Sequence, residues 1–249
     1  MGFVDIHQHV VYGVDDGPRS AEESLEMLRL AQRDGVTHII ATSHAYPAME
    51  PFPAERYLRH LGVLRQACRD EGIAVSISAG CEIFYSDVAI RQLQERRIPT
   101  LADTSCVPVE FDPLTPWEGI LDAVRKLSNR GYRTVVAHCE RYQALYGRLE
   151  EIRRLRSEFP VAFQINANTI IGRLPRKVRK FRDGMLDGGL TDFIASDAHN
   201  CTVRPIRLAQ AFAEIEKRFG ASLARALFVD NPRELINAGR TPADAAGPT

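Results

Sequence analysis

The chain has 249 residues, of which 45% are apolar and 26% charged, enough for one large α/β domain with a sizeable core. Its 32 basic and 32 acidic side chains leave no net charge, which removes the bulk electrostatic case for binding nucleic acid or an anionic membrane. Five scattered cysteines without a C-x-x-C pair indicate reduced thiols and show no zinc-knuckle pattern.

The N-terminal stretch MGFVDIHQHV has neither the basic segment nor the apolar core of a signal peptide. No run approaches the roughly 18 apolar residues of a membrane span. Together with the reduced thiols, these features predict a cytoplasmic protein with no membrane-inserted segment, and they leave its oligomeric state open.

Short apolar, β-branched runs alternate along the chain with stretches of helical period, the pattern of repeated βα units. After the first run, Ser20-Ala-Glu-Glu23 reads as a capping box, and the helix that it begins would place Leu25, Leu28 and Ala31 on its inner face and end before Gly35. In chain order the strand candidates are FVDIH, VTHIIAT, AVSISAG, CVPVEF, RTVVAH, VAFQIN and TDFIAS. Further helices are expected over residues 53–71, 86–96, 116–130, 146–158, 175–188, 204–219 and 221–238.

Seven such strands fit a barrel better than an open sheet, so the α/β pattern predicts a barrel of parallel strands. Residues 1–238 are expected to form this single domain, since neither a low-complexity linker nor an internal repeat interrupts them. Residues 239–249, GRTPADAAGPT, are poor in large apolar groups and are expected to form a flexible tail.

Histidines and acids fall at the ends of nearly all the predicted strands. In a barrel of parallel strands, all carboxyl ends meet on one face, where active sites are assembled. The strand-end groups are His7, His9, His44, Glu82, Glu110, His138, Asn166, Asp197 and His199. This convergence predicts a metal site, because burying several carboxylates together without cations would be very costly.

Two local patterns bear on which residues bind the metal. His7 and His9 are two apart on a strand, so both side chains point the same way, as two ligands of one metal require, and Asp5 shares that parity. A lone histidine near a strand end is more often a packing residue, but H-x-H combined with a second acid and histidine cluster is harder to dismiss. In the following loop YGVDDGP, spacing alone does not decide between Asp15 and Asp16 as a ligand.

The stretch VVAHCERYQALYGR, residues 135–148, has the local look of a cysteine-nucleophile phosphatase around Cys139. Such an enzyme needs an arginine six positions after the thiolate to hold the phosphate. Position 145 is a leucine, and Arg141 and Arg148 have the wrong spacing. His138 is therefore the more promising residue of this stretch, and Cys139 is expected to be a filler on the opposite side of a strand.

Four elements of the sequence resemble the polymerase and histidinol phosphatase (PHP) family: D-I-H-Q-H at 5–9, T-S-H at 42–44, A-H-C-E-R at 137–141 and A-S-D-A-H-N at 195–200. More narrowly, V-D-D-G-P, G-C-E-I-F-Y, V-E-F, H-C-E-R-Y and S-D-A-H-N together resemble the bacterial CpsB/YwqE-like manganese-dependent protein-tyrosine phosphatases of capsule and exopolysaccharide operons. The resemblance runs from about residue 3 to residue 238. Relatives often carry Pro where this chain has Ser43 and Cys139, but neither difference removes a ligand.

The resemblance implies a distorted (β/α)7 TIM-like barrel that holds three divalent metal ions. It would assign the first ion to His7, His9, Glu82 and Asp197, the second to Glu82, Glu110 and His138, and the third to Asp16, His44 and His199. Asp15 would then be a loop residue. Arg141 and Arg204 fall where relatives place phosphate-binding arginines.

All nine implied ligands are nitrogen or oxygen donors, which suits Mn²⁺ or Fe²⁺, with Zn²⁺, Co²⁺ and Mg²⁺ as alternatives. Manganese is favoured by the resemblance alone. Four ligand carboxylates against three divalent cations would leave about two positive charges, which attract a phosphate dianion. A metal-bound hydroxide, formed because the pKa of the bound water falls to roughly 7, would then attack the phosphorus in line.

The expected activity is hydrolysis of phosphotyrosine, a phosphate monoester, as in the protein-tyrosine-phosphatase class. The expected partner is a phosphotyrosine protein, namely a cognate bacterial tyrosine kinase that regulates capsule or exopolysaccharide synthesis. One alternative keeps the barrel and changes the substrate to a small phosphate ester such as histidinol phosphate. Another is a binding module that docks the kinase without catalysis, against which the complete ligand set argues.

Two further features lie near the predicted site. The stretch RLPRKVRKFR, residues 173–182, carries six basic side chains and follows the sixth strand, so it is either a solvated helix face or a surface that recruits acidic phosphotyrosine segments. Aromatic residues just beyond strand ends either pack beneath the loops or form a wall for a phenyl ring. They are Phe52, Phe84, Tyr85, Phe111 and Trp117.

Overall fold

The computed structural model describes residues 2–238, and the predicted tail at 239–249 lies outside the described residues. Seven parallel strands form one sheet in sequential order. They are β1 (Phe3–Gln8), β2 (Val36–Ala45), β3 (Ser76–Phe84), β4 (Cys106–Glu110), β5 (Arg133–Val136), β6 (Val161–Asn166) and β7 (Phe193–Ala195). All seven predicted strands are confirmed within a few residues at each end.

The sheet closes between its first and last strands. The Asp197 N–H donates to the His7 carbonyl at 2.8 Å, and the His9 N–H donates to the Ala198 carbonyl at 2.9 Å. Gln8 also forms a parallel bridge with Ala198. The predicted (β/α)7 barrel is therefore confirmed, and its closure brings residues from the two ends of the chain into contact.

Helices connect the strands and follow the last one. They are α1 (Ala21–Arg33), α2 (Ala54–Glu71), α3 (Asp87–Gln94), α4 (Trp117–Ser128), α5 (Leu149–Glu158), α6 (Ala167–Ile171), α7 (Arg176–Asp187), α8 (Leu208–Phe219), α9 (Ala221–Arg225) and α10 (Asn231–Asn237). None of the helices within residues 2–238 combines the length and the apolar character needed to cross a membrane.

The helix predictions hold with three differences. The capping box begins α1 as expected, with Ser20 Oγ accepting from the Glu23 N–H at 3.3 Å. The expected helix at 221–238 is interrupted by a widened turn over Ala226–Asp230, because Pro232 has no N–H to continue the regular ladder. The short helix α6 was not predicted, and the segment 204–207 precedes α8 as an irregular connection.

The core has two parts. A large cluster packs the amphipathic faces of the surrounding helices onto the strands, with Leu28, Leu64 and Ile215 fully buried in it. A smaller cluster joins Val4 of β1 and Ile236 of α10. This packing supports the strands along their length and leaves polar groups to collect at the carboxyl ends.

A buried carboxylate strengthens the closure of the barrel. Asp5 on β1 is fully buried and accepts hydrogen bonds from the Ser196 N–H at 3.0 Å and the Ser196 hydroxyl at 2.5 Å. Burial raises the pKa of Asp5 to about 6, although the hydrogen bonds from Ser196 act in the opposite direction. Asp5 therefore links β1 to the end of β7. Its position two residues before His7 predicted only that the two side chains would lie on the same face of the strand.

We expect Asp5→Ala to lower the free energy of unfolding by about 2–3 kcal/mol, because it leaves buried donors of Ser196 without an acceptor. Asp5→Asn keeps one acceptor oxygen and should cost less. Urea denaturation of the metal-free variants measures both effects. Equal stability of Asp5→Ala and the unmodified chain would show that this link does not stabilise the closure.

Candidate metal centre

The structure brings all nine predicted ligands together at the carboxyl ends of the strands. Eight are nearly inaccessible or only slightly exposed at the side chain, whereas Asp16 is 60% exposed and lies at the rim. His7, His44, Glu82 and Glu110 lie near the carboxyl ends of β1 to β4, and the loops after β1, β5 and β7 supply the others. Their ligand atoms form three overlapping groups.

The first group contains His7, His9 and Glu82, with Asp197 beside it. The Nε2 atoms of the two histidines lie 3.3 Å apart and are 3.2 and 3.3 Å from the same oxygen, Glu82 Oε2. Asp197 Oδ1 lies 3.7 and 3.6 Å from the two nitrogens. Such separations are those of neighbouring ligands around one ion, since metal–nitrogen bonds are roughly 2.0–2.1 Å.

The second group surrounds Glu82 and Glu110. His138 Nε2 lies 2.6 Å from Glu82 Oε1 and 3.7 Å from Glu110 Oε1. On the other side, His44 Nδ1 lies 3.1 Å from Glu82 Oε2 and 3.6 Å from Glu110 Oε2. Glu82 therefore belongs to both groups: its Oε2 faces His7, His9 and His44, and its Oε1 faces His138.

The third group contains Asp16, His44 and His199, together with His9. Asp16 Oδ1 lies 3.2 Å from His199 Nε2 and 3.5 Å from His44 Nε2. The rings of His9 and His199 stack with centroids 3.7 Å apart. The exposed position of Asp16 opens this third group to solvent.

Unsatisfied buried atoms test whether the cluster fits cations. Glu82 Oε2, Glu110 Oε2, His44 Nδ1 and His199 Nε2 are buried and have no hydrogen-bond partner among the described residues. His44 Nδ1 lies 3.1 Å from Glu82 Oε2 and 3.6 Å from Glu110 Oε2, but not in hydrogen-bond geometry. Metal ligands need free lone pairs that converge on a common position instead of accepting hydrogen bonds. These residues meet that requirement, so they fit a group of divalent cations.

The electrostatics show the same need for positive charge. Burial raises the pKa of Glu110, and the nearby Glu82 carboxylate raises it further. Burial also opposes ionisation of Glu82, but His7 and His138 hold its pKa well below the usual range. Burial lowers the pKa of His9, but Asp15 and Glu82 together raise it to about 10. Against the effect of burial, the acids also raise the pKa of His7, whereas burial lowers the pKa of His138 and His199, so only part of the imidazole cluster gains protons to balance the carboxylates.

A set of hydrogen bonds orients the imidazoles. His9 Nδ1 is 2.8 Å from Asp15 Oδ2, and the same oxygen accepts from the His44 N–H at 2.9 Å. Gln164 Oε1 is 3.2 Å from His7 Nδ1 and accepts from the His138 N–H at 2.7 Å. These contacts leave the Nε2 atoms of His7 and His9 facing the centre.

Sequence reasoning missed the roles of Asp15, Gln164 and Tyr142, whose hydroxyl lies 3.2 Å from His138 Nδ1. Asp15 is not merely a loop residue, because its carboxylate is almost fully buried against His9 and His44. The sequence does contain a signal for Gln164. It lies two positions before the predicted strand-end group Asn166, so both side chains are expected on the same face of the strand. Asn166 Nδ2 donates to Asp197 Oδ2 at 2.7 Å, so it too acts on a candidate ligand.

The two predicted phosphate-binding arginines both lie at the mouth of the barrel, where the candidate ligands meet, and both contact Asp197. Arg141 donates to Asp197 Oδ2 at 2.5 Å, and Arg204 Nη2 lies 3.1 Å from both Asp197 oxygens. Arg204 also approaches Asp16 Oδ2 at 3.4 Å. Their side chains are 40% and 34% exposed, so both guanidinium groups border the cluster while remaining accessible to a ligand.

Two candidate ligands have a left-handed backbone. His138 has φ 32° and Asp197 has φ 52°, a region that costs energy for residues with a Cβ. The neighbouring hydrogen bonds to Gln164 and His7 hold these conformations. The strain turns both side chains into the mouth immediately after their strands.

Cys139 lies in a turn, Cys139–Arg141, after β5 has ended at Val136. The expectation that it lies on a strand was wrong, because the chain leaves the strand after Val136. The thiol is fully buried, and burial raises its pKa well above the usual range. A buried, protonated thiol is unsuited to attack a phosphate ester.

Most of the predicted aromatic wall packs elsewhere. Phe52 is buried against Tyr57, Phe111 is buried against Tyr142, and Tyr85 donates to Asp122. Trp117 lies beneath the guanidinium of Arg148.

Phe84 is the predicted aromatic residue that lies near the candidate ligands. It contacts Tyr46, with ring centroids 5.7 Å apart, and Tyr46 stacks on His44 at 5.1 Å. Tyr46 was not predicted, although it follows His44 by two positions.

The comparisons with known proteins agree with this geometry. The family model described as "Capsular polysaccharide synthesis, CpsB/CapC" matches residues 3–237. The chain belongs to the CpsB/CapC family. The tyrosine-protein phosphatase CpsB of Streptococcus pneumoniae is 34% identical over 238 residues, covering 94% of this chain and 98% of that protein.

Other members of this family are also similar to the chain. The tyrosine-protein phosphatase YwqE of Bacillus subtilis is 29% identical over 225 residues, covering 88% of this chain and 86% of that protein. One solved structure comes from a set of crystal structures of YwqE from Bacillus subtilis and CpsB from Streptococcus pneumoniae, described as "unique metal-dependent tyrosine phosphatases". It superposes on this chain with a TM-score of 0.85 at 27% identity, and the aligned region covers 94% of each chain. This CpsB/CapC chain therefore shares both the barrel and the overall extent of those proteins.

We expect His138→Ala to weaken binding of at least one divalent ion by roughly 10- to 100-fold, because it removes a nitrogen donor facing Glu82. Cys139→Ser changes the adjacent buried residue without removing a donor and should keep the metal content. Metal analysis after dialysis, with the rise in Tm on adding Mn²⁺, measures both variants. Unchanged metal binding in His138→Ala would remove this residue from the ligand set.

Proposed function

We propose that this CpsB/CapC chain is a metal-dependent protein-tyrosine phosphatase, a hydrolase of phosphate monoesters. Its substrate is a phosphotyrosine protein, namely a bacterial tyrosine kinase that regulates capsule or exopolysaccharide synthesis, and it acts in the cytoplasm. The proposal rests on the arrangement at the mouth of the barrel. There, buried carboxylate and imidazole atoms without hydrogen-bond partners among the described residues lie beside the accessible Arg141 and Arg204 and the aromatic pair Tyr46 and Phe84.

The proposed cofactor is a set of three divalent ions, with manganese favoured by the family resemblance. His7, His9, Glu82 and Asp197 would hold the first, and Glu82, Glu110 and His138 the second. Asp16, His44 and His199 would hold the third. The overlapping groups of ligand atoms support most of this assignment, but the group around Glu82 and Glu110 is completed by His44 Nδ1, and His138 adjoins it through Glu82 Oε1.

When bound by these residues, divalent ions would supply a water of lowered pKa and would offset the charge of the phosphate. The protein holds the phosphate with Arg141 and Arg204, whose planar guanidinium groups can each donate two hydrogen bonds. These bonds strengthen as negative charge shifts among the phosphate oxygens in the transition state. Lysine at either position would lose the forked geometry.

The aromatic pair supports an aryl phosphate over a small alkyl ester such as histidinol phosphate. Tyr46 is half-buried and, with Phe84, forms the aromatic surface beside His44. Burial raises the pKa of the Tyr46 phenol, and the Glu110 and Glu82 carboxylates raise it further, so the ring stays neutral. A neutral aromatic surface next to the candidate ligand His44 suits the phenyl ring of phosphotyrosine.

The Mn²⁺-loaded protein should release phosphate from a phosphotyrosine peptide and lose this activity when a chelator removes the metal. Arg141→Lys should lower kcat/KM by roughly 100-fold, because a forked donor to the transition state is lost. Phosphate release measures both effects. Full activity in the presence of excess chelator would contradict the proposed function.

Tyr46→Ala should raise KM for p-nitrophenyl phosphate about 3- to 10-fold, because an aromatic contact is removed, while hydrolysis of glycerol phosphate changes little. Tyr46→Phe keeps the ring and is the matched control. Steady-state kinetics with both substrates separates the two variants. If Tyr46→Phe lost as much as Tyr46→Ala, the hydroxyl rather than the ring would be the important group.

A further inference from the structure

A basic groove lies beside the candidate metal centre, between α6, the start of α7 and α8. It encloses about 750 Å³, and its residues are not among the candidate ligands. Ile170, Ile171 and Leu174 form part of an apolar lining. Its five cationic side chains are Arg173, Arg179, Arg182, Lys217 and Arg218.

The cations of this basic groove fall into two kinds. Arg182 and Arg218 both donate to Asp183, and Arg218 also lies 4.0 Å from Glu214. Arg173, Arg179 and Lys217 are exposed and have no acidic partner among residues 2–238. The groove therefore offers three uncompensated positive charges above an apolar lining, in a chain whose total charge is zero.

The basic groove and the candidate metal centre share a wall. Asn166, at the end of β6, donates to Asp197 at 2.7 Å. Three residues later, the Thr169 hydroxyl donates to Glu140 at 2.7 Å, while the Thr169 carbonyl accepts from Arg182 at 3.0 Å. A segment of polypeptide whose phosphorylated residue occupied the mouth would meet the groove after crossing α6.

We propose that the basic groove binds an acidic polypeptide segment that flanks the phosphotyrosine of the substrate, an inference that rests on the proposed function. The three unpaired cations complement Asp and Glu side chains, and the apolar lining accommodates intervening apolar residues. An anionic membrane is disfavoured as the occupant, because the charges line a concave groove rather than a flat or protruding face.

The test compares two triple variants with the same change in charge. Arg173→Glu/Arg179→Glu/Lys217→Glu reverses the groove. Arg176→Glu/Lys177→Glu/Lys180→Glu reverses exposed neighbours in the same basic stretch that do not line the groove. Each is assayed with a phosphotyrosine peptide flanked by Glu and Asp, with the matching Gln and Asn peptide, and with p-nitrophenyl phosphate.

The groove variant should raise KM for the acidic peptide about tenfold at low salt, while kcat, the neutral peptide and p-nitrophenyl phosphate are unchanged. The difference should shrink as ionic strength rises. The control variant should keep the KM of the unmodified protein. Equal effects of the two variants, or no effect of either, would overturn the groove as a specific site.

Two direct binding measurements complete the test. Fluorescence anisotropy with a labelled, unphosphorylated acidic peptide should show binding that the groove variant loses, independently of any phosphatase activity. An inactive protein that still bound this peptide would contradict the proposed function but not the groove. Loss of binding to phosphatidylserine vesicles, with unchanged binding of the acidic peptide, would identify a membrane surface instead and overturn the proposal.

Discussion

The collection of carboxylates and imidazoles in one buried mouth is the constraint on which the rest of the structure depends. Glu82 and Glu110 each have a buried oxygen without a hydrogen-bond partner in the part of the chain that the structure describes, and burial penalises both charges. An apolar core gains free energy from burial, whereas this cluster opposes folding unless cations occupy it. The surrounding barrel must therefore hold the ligand atoms in place against their mutual repulsion.

Closure of the barrel meets this requirement. Backbone hydrogen bonds join His7 to Asp197 and His9 to Ala198, so groups about 190 positions apart in the chain lie within one cluster. The left-handed backbone at His138 and Asp197 is strained, and it persists because ladder contacts and the side chain of Gln164 hold it. Rigid strands and strained turns together give the donors fixed directions, which flexible loops alone would not provide.

The region around the metal centre has different properties on different sides. Asp16 and the two arginines make the rim open and polar, while Tyr46 and Phe84 make one side aromatic. The segment from β6 through α6 separates the mouth from the basic groove and contacts both. This arrangement provides separate contacts for a phosphate, its aryl group and the polypeptide that carries them, all supported by adjacent strand ends.

The sequence by itself predicted the seven strands, the barrel and the convergence of the strand-end histidines and acids, because parallel strands place all their carboxyl ends on one face. The choice of Asp16 over Asp15 came from the family resemblance. The capping box at Ser20 likewise acted through neighbouring residues alone. Only the tertiary structure decided the role of Asp15, the burial of Cys139 and the pairing of Tyr46 with Phe84. These outcomes depend on contacts between separate segments of the chain. A local sequence pattern does not show which side chain from another strand or loop will contact a given residue.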